Sequence, residues 1–416
     1  MWKILFILCL YFFLHNPKLP IGGGIQSIRL LYIPAIYLVI SKWHLFSSYI
    51  RLFKAQLYAL LFTLAYTLIR TMMGGEYGSY MTEIETILDL FIMPYMFIIF
   101  ANYINITTEK QFVQSLMIVG AIAAFITLLC LSSPVFNNFV RITFLRFEED
   151  SAISLAMYRS FGISSAITSH YGYIQGTMVV LACYYSKYNK IILWLTPLLL
   201  LSGMVNARTS ALVAIVGVAI YLFSNKNIKN SLIFSIVALF AYFNIDTFFS
   251  IIGIQGETAQ WLQSFSNQID DIFTGGSLKT GTTGELIEDM WIMPRNADEW
   301  LFGIGKSVFN TMIQGQRSDV GYVNQIMYGG ILYIIPLFSY IYVVSWQLWK
   351  TNLKQFALFF ILTFLILNLK CRYLPNGGEL HLLMLYSNFI IYVTHRNSII
   401  KGAYAKYSYK QRTYSV

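Results

Sequence analysis

The chain has 416 residues, of which 57% are hydrophobic and 12% charged, with a mean hydropathy of +0.59. Soluble domains average about 25% charged residues, so these values exclude a soluble globular protein and describe a polytopic membrane protein. The net charge of +10 does not point to nucleic acid. The sequence has no block of five or more basic residues, and loops facing an anionic cytoplasmic leaflet account for the surplus.

Hydropathy predicts twelve apolar spans, at 2–15, 26–41, 53–71, 82–104, 111–132, 170–186, 190–206, 209–224, 231–249, 320–346, 356–371 and 380–394. The first resembles a signal peptide, with Lys3 before an apolar run. It is followed by Asn16-Pro17-Lys18-Leu19-Pro20 rather than a small-x-small cleavage site, so it reads as a retained span. Short basic turns follow at Lys42 to Lys54, Lys110, Lys187 with Lys190, Lys226 with Lys229, and Lys350 with Lys354. The tail adds Arg396, Lys401, Lys406, Lys410 and Arg412. With alternating spans all of these fall on one side, together with both termini. Positive-inside topology makes that side cytoplasmic.

The opposite side is expected to hold two long loops, about 133–169 and 250–319. The second contains Trp261, Leu262, Phe265, Ile269, Ile272 and Phe273 at helical spacing. Such a stretch either lies on the outer leaflet or packs on the spans. The charges sort unevenly between the sides, with 13 Lys and 3 Arg inside against 4 Lys and 9 Arg outside. Topology does not ask for external arginines. Guanidinium groups grip phosphate in a bidentate way that ammonium groups do not, so an anionic ligand is expected on that face.

Arg141, Arg146 and Arg159 lie in the first loop, and Arg295 and Arg317 in the second. Arg70 and Arg372 end spans. Any one of these also fits a solvated or snorkelling side chain. Arg208, in the tight turn Asn206-Ala207-Arg208-Thr209-Ser210, has almost no loop to hold it in water and is expected to face a cavity or partner. Gly303-Ile304-Gly305-Lys306-Ser307 imitates the end of a phosphate-binding loop, but Trp300 stands where its first glycine belongs. Asp319 opens the tenth span, either as a helix cap or as a base kept ionised by Arg317 or Arg208. Glu85 and Asp89 are four apart, which predicts one shared helix face. They read as proton or ion coupling or as partners of Arg70 or another outer arginine. The five histidines are scattered, with no zinc pattern and no nucleophile triad, so no metal or cofactor is expected. No cysteine pair suggests a disulfide.

Four stretches resemble the bacterial O-antigen polymerase (Wzy) group, within the larger set that includes O-antigen ligases. They are Arg159-Ser160-Phe161-Gly162, Asn206 to Leu212, Leu301-Phe302-Gly303-Ile304-Gly305, and Ser318-Asp319-Val320-Gly321-Tyr322 with Gly329 and Gly330 downstream. Ligases of that set carry a His where this chain has Asp319, with a Gly at the place of Gly330. The Asp looks like the polymerase pattern. The resemblance implies a GT-C-like membrane fold and metal-independent glycosyl transfer at the periplasmic face of the bacterial inner membrane. The donor it implies is a glycan on undecaprenyl diphosphate, the acceptor is a repeat unit on the same lipid, and a chain-length regulator protein is a possible partner. On that reading Asp319 and Arg208 are catalytic. Arg159, Arg295, Arg317, Arg146, Tyr322 and Gly162 bind substrate. The alternatives are an O-antigen ligase, a capsule or exopolysaccharide polymerase, a lipid-linked oligosaccharide flippase or transporter, and a non-catalytic scaffold.

Overall fold

The computed structural model describes residues 1–21, 24–76, 79–145, 162–165, 169–207, 209–225, 290–309, 312, 317–351, 353–370, 374–375 and 378–413. The predicted ninth span and the amphipathic stretch 261–273 lie outside the described residues. So do Arg146, Arg159 and Arg208.

The described chain is helical apart from a two-residue antiparallel ribbon, β1 (Lys18–Leu19) with β2 (Ile25–Gln26). The helices are α1 (Trp2–His15), α2 (Ser27–Ser41), α3 (Trp43–Met72), α4 (Ser79–Tyr103), α5 (Glu109–Ser132), α6 (Pro134–Val140) and α7 (Ser169–Tyr185). After them come α8 (Thr196–Met204), α9 (Thr209–Asn225), α10 (Ala297–Phe302), α11 (Gly321–Trp349), α12 (Lys354–Leu367) and α13 (His381–Thr413). Each predicted apolar span on described residues overlaps a helix, but α6 and α10 lie in the predicted loops, α3 starts ten residues early and takes in most of the predicted basic turn Lys42 to Lys54, and α13 runs on to Thr413. Four of them, α3, α4, α5 and α11, are long and apolar enough to cross a membrane. Shorter apolar helices include α1, α2 and α12. The outer faces carry apolar side chains such as Ile33, Ile40, Phe62 and Ile69, as a lipid-facing surface requires.

Local chemistry sets several helix ends. Thr108 accepts the Gln111 amide, and the Gln111 side chain reaches back to the Thr107 amide. Together they form a capping box at the start of α5. Ser133 and Asn296 cap α6 and α10 in the same way.

Helix α7 is the centre of the bundle. Every residue from Tyr171 to Tyr185 is buried, the state expected of a helix that is apolar all round. Its Gly172 and Gly176 let α9 approach closely. A Cβ on Gly172 would stand 2.8 Å from Ala207, and one on Gly176 would stand 2.6 Å from the Ser210 carbonyl. Small residues four apart serve this purpose where lipid removes the hydrophobic drive between helices.

The end of the bundle at which α1 starts is called proximal here, and the end at which it stops is called distal. At the proximal end Lys187 pairs with Glu109 at 3.5 Å, and Arg396 donates to Asn102 and to the Thr107 carbonyl. Lys187 and Arg396 therefore lie at one end, as the alternation of spans predicts.

Candidate functional site

Two glycine segments meet at the distal end. Helix α11 breaks at Gly330, whose φ is +64°. The break frees the carbonyls of Met327 and Tyr328, which accept the amides of Ile304 (2.7 Å) and Gly305 (2.9 Å). A Cβ on Gly330 would lie 2.4 Å from the Leu301 carbonyl, and one on Gly303 would lie 2.5 Å from the Gly329 amide. Backbone packs directly on backbone here, and only glycine permits it at positive φ. Tyr66 bridges both strands of the contact, donating to the carbonyls of Gly329 (2.6 Å) and Phe302 (3.1 Å). Arg70 donates to the Gly303 carbonyl at 3.0 Å, and its Nε is buried without a hydrogen-bond partner. Glu76 holds the next turn, with its carboxylate accepting the Ser307 amide at 2.9 Å.

Asn324, one turn into α11, ties this loop to the segment before the helix. Its carbonyl accepts the Phe309 amide, and its amide group donates to the carbonyls of Ser318 and Val320. Ser318 also donates to the Met290 carbonyl and accepts the Val320 amide. That contact is a local turn ahead of α11, whose N-cap residue is Val320 and which has no side-chain cap. Asp319 makes no side-chain cap to α11, which corrects the cap expected of it. The Asp319 side chain stays exposed. Partial desolvation raises its carboxyl above the usual range, and the ammonium of Lys370 opposes the rise. Among the described residues the cation acting on Asp319 is Lys370 rather than Arg317. The Tyr322 hydroxyl is occupied by the Leu365 carbonyl at 2.7 Å, so it anchors α12. Arg317 is exposed. Arg295 is exposed as well, with its amide held by the Glu299 carboxylate.

A second polar group lies across the same end. Tyr32 donates to Asp89 Oδ1 at 2.7 Å, and His381 Nε2 stands 3.1 Å from Oδ2. The His170 ring lies edge-on to His381 at 5.9 Å, and Gly378 packs on the His170 ring. His15 is fully buried, 5.4 Å from the Tyr171 ring. The end of the first predicted loop reaches this group. Ser164 and Ser165 bond the carbonyls of His15 and Asn16, and Tyr11 donates to the Ile163 carbonyl. Gly162 sits at φ +56° against Thr127. Ala207 and Thr209, which flank Arg208, press on Gly172.

Asp89 and Glu85 both meet α2, Asp89 through Tyr32 and Glu85 through Arg29, one of the outer arginines, as the four-residue spacing predicts; the π turn Leu88–Ile92 starts between them. Asp89 is buried, while Glu85 is exposed and pairs with Arg29 at 3.6 Å. The second buried acid of α4 is Glu83, which sequence reasoning missed. It accepts from Tyr333 at 2.5 Å and from Thr67 at 3.3 Å. Ser79, Thr82, Glu83, Tyr328, Tyr333 and Pro375 line a small cleft with room for about one water molecule. The Leu374 carbonyl accepts from Gln325 at 2.8 Å and Gly378 packs on the His170 ring, so the two polar groups lie in one layer.

The structure thus brings Asp319, Tyr322 and the 301–309 loop together around the start of α11. It sets Gly162 on the other side of the layer, beside His15. The histidines did carry a signal in the sequence. His15 closes one predicted span, His170 and His381 open two others, and alternation puts all three on one side. No family model, curated protein or solved structure matches this chain.

Proposed function

We propose that the chain is a metal-independent polysaccharide polymerase of the bacterial inner membrane. On this reading it has twelve spans in a GT-C-like arrangement, cytoplasmic termini and a periplasmic site. It transfers a growing glycan from undecaprenyl diphosphate to the next lipid-linked repeat unit. The observation that carries the reading is the interlock of Leu301–Gly305 with Gly329–Gly330 beside Asp319. Two of the four stretches that resemble the polymerase group, Leu301–Gly305 and the one that runs from Ser318 to Gly330, meet in one backbone contact.

The chemistry asks little of the protein. A sugar diphosphate already contains its leaving group. The acceptor hydroxyl oxygen bonds to the anomeric carbon, the bond from that carbon to the diphosphate oxygen breaks, and its electron pair leaves with the diphosphate. The hydroxyl proton passes to the Asp319 carboxylate, a step worth roughly 10²–10⁴-fold. Guanidinium groups neutralise the departing diphosphate, each worth ~2.7–4 kcal/mol in the manner of oxyanion donors. Arg208 and Arg159 have that role by the resemblance. Arg70 is a further candidate, since its unpartnered Nε lies beside the interlock.

In a host lacking its own polymerase, Arg208→Ala and Asp319→Ala should leave the protein in the membrane and limit the glycan to one repeat. Wild-type chain lengths in both variants would remove this site. A second reading, a lipid-linked oligosaccharide flippase, rests on the two buried carboxylates of α4, Glu83 and Asp89, because intramembrane acids mark substrate and ion paths. Translocation without chain extension would favour it.

A further inference from the structure

We propose that Asp89 and His381 form a proton-binding site inside the helix bundle, connected to the distal end by His170 and His15. The site stands on its own geometry and does not depend on glycosyl transfer. Asp89 lies on the π turn of α4, and such turns are frequent at functional positions. A carboxylate at that depth needs partners, and Asp89 has two. Tyr32 donates to Oδ1, so Oδ2 is the oxygen that meets His381 Nε2.

With Nε2–H donating to the carboxylate, the basic lone pair of His381 sits on Nδ1. That atom is buried and bonded to no protein atom. Phe13 stacks on the ring at 4.5 Å and 18° and holds its plane. One nitrogen of His170 is bonded to the backbone of Gly378, and the other, Nε2, is buried without a partner. Both nitrogens of His15 are also buried and unpartnered. Four imidazole nitrogens on three helices therefore lack protein partners at one end of the bundle. Folded proteins rarely leave buried polar atoms unpaired without a use for them. Among the described residues no three His, Cys, Asp or Glu groups are placed to hold a metal ion, so the ligand this geometry takes is a proton.

The step is simple to balance. A proton adds to Nδ1 of neutral His381 and gives an imidazolium with both nitrogens protonated. The Asp89 carboxylate, already bonded through Nε2, neutralises the new charge. Release reverses this, and no other bond changes.

The surrounding groups leave Asp89 as its counter-charge. Helix α1 offers Tyr11 and His15, and α2 offers Tyr32 with Arg29 beside it. Arg29 is paired with the exposed Glu85. Helix α7 offers His170, Tyr171 and Tyr173, and the turn before α13 offers Glu379, which acts on Tyr173.

Infrared difference spectroscopy on the full chain in lipid nanodiscs tests the site, with buffer steps from pH 8 to pH 5, the range in which imidazoles titrate. The exposed His44 and His395 are first replaced by Gln. A band pairing carboxylate and imidazole changes should remain, equal to one proton per chain, and should vanish in Asp89→Asn and in His381→Gln. Tyr32→Phe keeps the packing but removes one donor to the carboxylate, so the midpoint should rise by about one pH unit. The proposal is overturned by the loss of all signal once His44 and His395 are replaced. A band that survives both Asp89→Asn and His381→Gln overturns it too, as does an unmoved midpoint in Tyr32→Phe.

Discussion

Gly330 faces Leu301 so closely that a Cβ on it would lie 2.4 Å from the Leu301 carbonyl oxygen, and its φ of +64° is one that L side chains rarely adopt. A break in a membrane helix and a loop end thereby share one set of backbone hydrogen bonds, and neither segment can move without unpairing the other. Irregular backbone within a membrane bundle is tolerated where protein satisfies it in this way.

Gly330→Ala should therefore be costly twice over, through the positive φ and through the clash with Leu301. A loss of about 2–4 kcal/mol is expected. Thermal unfolding in detergent measures it. Gly74→Ala is the control, because Gly74 has positive φ with open space around its Cβ position, and it should lose only the smaller strain term.

The Glu83–Tyr333 contact at 2.5 Å predicts an asymmetry. Tyr333→Phe leaves a buried carboxylate short of one donor and should destabilise by about 1–3 kcal/mol. Glu83→Gln keeps an acceptor for Tyr333 and removes the buried charge, so it should cost less. Comparing the two unfolding midpoints checks this. Equal losses would mean that the charge at Glu83 is held by other groups.

The raised carboxyl of Asp319 gives a pH dependence with a definite sign. A base must be ionised, so activity should rise with pH through a limb above the ordinary carboxylate value of about 4. Lys370 favours the ionised form, so Lys370→Met should move that limb to higher pH. Asp319→Asn should abolish it. Rates of chain extension measured across pH show both effects.

The α7–α9 contact predicts a purely structural failure. Gly176→Val places a branched side chain where a Cβ alone would come within 2.6 Å of the Ser210 carbonyl. The helices should separate, and the yield of folded monomer in size-exclusion chromatography should fall. Gly172→Val should do the same through Ala207.

Much of the helix layout was legible in the sequence because hydropathy speaks to each segment alone. Predicted 2–15 and 26–41 match α1 and α2 within a residue. The gathering of Lys187 and Arg396 at one end followed from alternation. What the sequence could not reveal were the pairings between distant segments. Nothing in Leu301–Gly305 announces that it lies on Gly329–Gly330. The four-residue spacing put Glu85 and Asp89 on one side, towards α2, but spacing carries no information on depth, and Asp89 is buried while Glu85 is exposed. The cap expected of Asp319 is absent because the N-cap position falls on Val320, whose amide is held by Ser318. Three histidines stood at span ends on one side, yet a search for local metal patterns overlooked a cluster built from residues 15, 170 and 381.

The central claim is glycosyl transfer at the distal end of this bundle. Incubating purified chain in lipid with purified undecaprenyl-diphosphate-linked repeat units, and resolving the products by size, tests it most directly. The account predicts a ladder of lipid-linked oligomers formed without added metal and lost in Asp319→Ala. Repeat units that stay single with folded wild-type chain present would contradict it.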